Sequence, residues 1–166
     1  MALDDRITTV LAVSRRVAPR RLSPRRRPAA AETGKPATTT GTSDLTIAAR
    51  DIWLGADHLV SVHLARVEAR AALAQAARTA RISREQFWSS TQELEGLFVQ
   101  LDLVNVDDTL IRQAADLTEA QALRAYDAVH LAAALQVVEA DLILVAGDQA
   151  LLTAAESVGL MVAAIG

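Results

Sequence analysis

The stretch "ADLILVAGDQALLTAAESVGL", residues 140–160, decides the fold. Its first part, "ADLILVAG", is a short, continuous apolar run, as expected of a strand buried on both faces of a sheet. "DQALLTAAESVG" then reads as a helix with Gly159 as its stop. "LMVAAIG" follows as a last strand.

Working upstream, "AYDAVHLAAAL" (125–135) reads as a helix meant for burial, preceded by the amphipathic helix "DDTLIRQAADLTEAQAL". "LDLVNV" alternates and is β-branched, which predicts a strand. "SREQFWSSTQELEGLFVQL" predicts a helix with Ser83 as N-cap and Gln86 at the capping-box position. "DHLVSVHLARVEARAALAQAARTA" opens with a strand-like piece, Leu59 to Val62, and becomes a long helix. "SDLTIAARDIWLG" predicts another helix, capped by Ser43 or Asp44 and stopped at Gly55. Strands alternating with helices argue an α/β fold with a mostly parallel sheet.

The beginning is different. Residues 14–43 show no helical or strand periodicity and are rich in Arg, Pro, Thr and Ala, which predicts disorder. Before them, "TTVLAVS" reads as one short strand. Residues 1–43 hold nine basic and three acidic residues, a charge of +6, whereas 44–166 hold eight and seventeen, a charge of −9. The expected division is therefore a basic Arg/Pro-rich segment, 1–43, and a folded domain, 44–166. The chain has no cysteine, which excludes disulfides, thiolate metal sites and a cysteine nucleophile. No apolar run approaches the ~18 residues of a membrane span. There is no signal peptide, and the expected place is the cytoplasm.

No nucleophile-elbow serine and no glycine-rich phosphate loop is present, so any chemistry is carboxylate chemistry. Asp148 follows a strand, at the edge where open α/β sheets bind ligands; it equally suits the N-cap of the next helix. Asp127 opens the apolar helix. It is either favoured by the positive helix end and paired with Arg124, or a site residue. Glu68 lies one residue off the apolar face of its helix, and pairing with Arg66 or Arg70 is the plain alternative to a site role. His130 and His63 are read first as ordinary structural residues. Hard oxygen donors converging at one edge suit Mg²⁺ or Mn²⁺.

"LVSVHLARVEARAAL", "ALRAYDAVHLAAAL" and "ADLILVAGDQALLTAAESVGL" resemble three consecutive signature blocks of PIN-domain proteins, particularly VapC-type toxins. The resemblance runs from about Asp44 to the C-terminus. It implies a three-layer α/β/α domain, Mg²⁺- or Mn²⁺-dependent ribonuclease activity on RNA, a cognate antitoxin and a homodimer. It also implies that Glu68, Asp127 and Asp148 are the family's second, third and fourth acidic residues, catalytic and metal-binding. The family's first strand ends in an Asp. Here Arg6 to Ala31 contains no acidic residue, and Asp4 and Asp5 precede the one plausible strand. No residue takes the first position.

Two explanations compete: a beginning that is out of frame, or a variant whose basic tail meets RNA phosphates. Either way the first strand is expected to be missing or altered, leaving its neighbours with unpaired backbone groups and a less stable domain. The rival functions are an inactive PIN-like module that binds an antitoxin or RNA, and an unrelated phosphoryl-transfer domain using Asp148. The latter ranks last, because the one lysine, Lys35, lies in the Arg/Pro-rich segment.

Overall fold

The computed structural model describes residues 11–14, 52–137 and 142–165. Five strands form one sheet: β1 (Leu11–Ser14), β2 (His58–Val62), β3 (Asp102–Val104), β4 (Leu142–Ala146) and β5 (Met161–Ala164). Five helices accompany them: α1 (Leu64–Arg78), α2 (Arg84–Phe98), α3 (Asp108–Gln121), α4 (Ala125–Gln136) and α5 (Gln149–Ser157). Residues 52–55 are also helical; the rest of the helix expected from Asp44, and the segment 15–43, lie outside the described residues.

Local chemistry sets most boundaries. Ser83 forms the predicted capping box: its Oγ accepts the Gln86 N–H at 3.1 Å, and its own N–H donates to Gln86 Oε1 at 2.8 Å. Asp107 caps α3 by accepting the Leu110 N–H at 2.8 Å. Gly159 takes φ +90° after α5, and the Leu160 N–H closes the helix on the Ala155 carbonyl at 3.0 Å. That left-handed step is one that glycine adopts without steric cost.

The sheet order is β3-β2-β1-β4-β5. β2 runs parallel to β3, and β4 parallel to β5. β1 lies between the two pairs and is antiparallel to both, with Ala12 opposite Val60 on one side and Leu144 on the other. Four of the five strands thus point one way, and their carboxyl ends define one edge. The mixed α/β class is as expected. Of the expected outcomes for the first strand, missing or altered, the structure shows the second: the strand within "TTVLAVS" occupies the middle slot, in reverse, and pairs with both neighbours, so the expected unpaired backbone groups are not left there. Antiparallel pairing satisfies backbone groups at least as well as parallel pairing, so β2 and β4 keep inner-edge partners.

One face of the sheet carries the main core. Val60, Val62, Leu142, Leu144 and Ala146 meet the buried residues of α3, α4 and α5. α4 is buried along most of its length, with Ala128, Leu131 and Ala132 fully inaccessible. α3 packs on α4 through Leu110, Ala114 and Leu117. On the opposite face, Leu59 and Val145 form a smaller cluster with Ile52, Trp53 and Ala56. β4 therefore buries side chains on both faces, as its unbroken apolar run implied, although Ile143 stays partly accessible.

β1 is flanked on both sides, so the Val13 N–H points at a neighbouring strand whichever way it faces. Val13→Pro removes that donor and leaves a neighbouring carbonyl unpaired, which should lower stability by about 1–3 kcal/mol, read as a fall in the urea midpoint. An unchanged midpoint would show that the middle slot does not depend on this strand.

Candidate metal and active site

Two elements end at the carboxyl edge with a carboxylate. Asp148 follows β4 and Gly147, and is the N-cap of α5: its Oδ1 accepts the N–H groups of Ala150 at 2.8 Å and Leu151 at 3.0 Å. The capping role read from the sequence is therefore real. Both bonds go to Oδ1, so the cap does not use Oδ2.

Asp127 stands in the first turn of α4 and is only 7% exposed. The N-terminal end of a helix favours a carboxylate there. Arg124, its expected partner, exerts some attraction but forms no ion pair with it. Among the described residues no hydrogen bond reaches the Asp127 carboxylate. Burial pushes its pKa above the usual 3.8, the nearby negative charge of Asp148 adds to the rise, and Glu68 contributes in the same direction. His130 and Arg124 oppose the shift. Asp127 thus lies within electrostatic range of both other predicted site residues.

Glu68 comes from α1, on the other side of the site. The plain expectation paired it with Arg66 or Arg70. The structure gives both arginines to Glu95 of α2 instead, at 3.5 Å each. Arg66 also stacks over the Phe98 ring at 5.1 Å, which ties α1 to α2. Glu68 turns to His130, with Oε2 2.8 Å from Nε2. An ionised carboxylate can only accept, so the imidazole donates. A hydrogen bond to a charged group contributes about 1.5–3 kcal/mol, comparable with the ~1.5–2 kcal/mol of rotamer freedom that a fixed glutamate loses. This contact spans 62 positions in sequence, and nothing local announces it. His63, in contrast, is exposed at the start of α1, and its side chain caps nothing.

Among the described residues, no three acidic or histidine side chains are drawn together closely enough to hold a metal ion. The donor chemistry nevertheless fits a hard divalent cation. The side chains are oxygen donors, they repel one another, and Asp127 lacks a bound counter-charge. Ser14, the carboxyl end of β1, lies opposite His58 and Leu142, the amino ends of β2 and β4, and so at the far edge.

Glu68 and Asp127 also border a groove of about 1250 Å³ between α1, α2 and the start of α4. Leu64, Val67, Leu73, Ile82, Leu94 and Leu97 give it a mainly apolar lining. Val67 and Leu97 are well exposed, as is Tyr126 at the α4 end.

The sequence is similar to ribonuclease VapC45 of Mycobacterium tuberculosis (strain CDC 1551 / Oshkosh), with 37% identity over 112 residues, 68% of this chain and 78% of that protein. It is equally similar to ribonuclease VapC49 of Mycobacterium tuberculosis (strain ATCC 25618 / H37Rv), again 37% over 112 residues with the same coverage. No family model matches the chain. No solved structure matches it either.

The raised pKa of Asp127 has a consequence for stability. Between pH 3.8 and the raised value, the folded state holds a proton that the unfolded chain has released. Stability therefore falls as pH rises through that window. Asp127→Asn carries no charge. It should raise the melting temperature of the metal-free protein at pH 7, by about 2–4 °C for each kcal/mol recovered, and flatten the pH dependence below. A melting temperature that stays the same or drops would mean that the carboxylate is not held at a cost.

Proposed function

Since the chain belongs to the VapC family of PIN-domain ribonucleases, we propose that it is a metal-dependent endoribonuclease of a type II toxin–antitoxin pair. Glu68, Asp127 and Asp148 would hold Mg²⁺ or Mn²⁺. The observation that carries this reading is Asp127: a buried carboxylate at the ligand-binding edge of the sheet, beside like charges, with no bound counter-charge. A divalent ion bound there supplies an acidified water and neutralises charge developing at phosphorus. The protein's own part is positional. α4 fixes Asp127 through its buried face, and the α5 cap fixes Asp148.

The substrate would be RNA, cleaved in the cytoplasm. No described helix is long and apolar enough to cross a membrane. A cognate antitoxin would lay an apolar helix in the groove between α1 and α2, over the acidic residues, which is a common mode of helix recognition. We further propose that residues 44–166, with the central strand β1 supplied from the segment before them, make a three-layer α/β/α domain able to form a homodimer. The +6 charge of residues 1–43 would add sequence-independent attraction for RNA phosphates.

One observation favours a second reading, an inactive PIN-like module that binds an antitoxin or RNA. The carboxyl end of β1 lies away from the acidic edge, so that strand brings no carboxylate to it.

Incubation of the purified protein with a mixed RNA pool and Mn²⁺ separates the two. The enzyme reading expects discrete cleavage that chelator abolishes and that Asp127→Asn slows by about 100-fold or more, equivalent to ~2.7 kcal/mol of lost transition-state stabilisation. Absence of cleavage, with RNA or antitoxin binding retained, would establish the inactive module.

A further inference from the structure

His130 is the polar residue that the proposed reaction leaves without a function of its own. It is 2% exposed and lies on the inner side of α4 among Val60, Val62, Val104, Ala133 and Ala134. An imidazole in such a place is usually satisfied by a nearby backbone group or by water. Here its Nε2 crosses to a different helix and meets a carboxylate of the candidate site.

Three observations give that contact a purpose. Glu68 is short of other restraints, because Glu95 engages the two arginines on its own helix. Glu68 is also repelled by its neighbour, since Asp127 carries the same charge within range. Finally, the Glu68 side chain is 17% exposed, so water is within its reach. An unrestrained glutamate in that position relaxes towards solvent and away from the like charge. The restraint that opposes this is the 2.8 Å bond from the interior.

We propose that His130 is a positioning residue. From the buried side of α4 its Nε2–H holds Glu68 beside Asp127, so that a divalent cation meets two carboxylates already in place. The inference rests on the metal-site reading above and deepens it. It also connects the two carboxylates mechanically, because Asp127 and His130 are three residues apart on one helix. Any shift of α4 moves both ends of the site together.

The test is Mn²⁺ affinity, measured by calorimetry on metal-free full-length protein without RNA. His130→Leu keeps much of the volume and removes the donor. His130→Gln keeps an N–H donor at a similar reach. The expected outcome is a loss of affinity of about 10–100-fold for His130→Leu, the range found when a residue supporting a metal ligand is removed. His130→Gln should stay within a few-fold of wild type.

The reciprocal arm places His130→Leu on a Glu68→Gln background, where it should cost little more. Far-ultraviolet circular dichroism and melting curves confirm that each variant is folded. An equal loss in both backgrounds would overturn the proposal, because His130 would then act on packing and not through Glu68. Equal losses for Leu and Gln would overturn it too, as would undiminished binding by His130→Leu. A wild-type protein that takes up no Mn²⁺ would remove the metal site itself, and this inference with it. Mn²⁺ binding that depends on His130 without any RNA cleavage would support the inference while refuting the enzyme reading.

Discussion

The burial of α4 against the sheet is the constraint on which the site depends. Ala128, Leu131 and Ala132 are fully inaccessible, and five further residues of the same helix are buried with them. Burying one leucine side chain contributes about 1.5–3 kcal/mol. A rotation of the helix that exposed this stripe would forfeit several such contributions. Asp127 and Leu131 are four residues apart and share a face. The leucine must be inside, so the aspartate is carried to the border of the interior with it. The raised pKa of Asp127 follows from that packing and from the like charges the fold places beside it.

The same helix offsets part of the cost. Asp127 sits in its first turn, where peptide dipoles favour negative charge. One turn later His130 is turned fully inwards, and α1 supplies Glu68 as its partner. The chain's small residues make the close approach feasible. Aromatics are 3% of the sequence, and alanine fills much of the contact between α4 and the sheet. On the outer side, the α1–α2 pair is held by Arg66, Arg70 and Glu95, which leaves Glu68 to the interior and opens the apolar groove alongside.

The central strand shows that folding and chemistry ask different things of one segment. The inner edges of β2 and β4 need donors and acceptors, and a strand in either direction provides them. A metal site at the carboxyl edge needs the strand's direction as well. β1 meets the first demand and not the second: it closes the sheet while its own carboxyl end faces the other edge. A domain of this family can thus complete its sheet with a middle strand that brings no carboxylate to the carboxyl edge.

The sequence by itself determined the elements and their order. The unbroken apolar run of β4, the stop at Gly159, the Ser83–Gln86 capping box and the amphipathic pattern of α3 are local signals, and local backbone chemistry acts on them directly. It also drew attention to Asp127 and Asp148, since a carboxylate stands out in an apolar helix or after a buried strand; Glu68 entered only through the family resemblance of its block. Tertiary structure decided the partners. It gave Arg66 and Arg70 to Glu95, joined Glu68 to His130 across 62 positions, and reversed β1 between its neighbours. None of these is encoded in a periodicity. Side-chain pairing between helices and strand direction within a sheet are settled by competition among distant groups, and that competition begins only when the chain has folded.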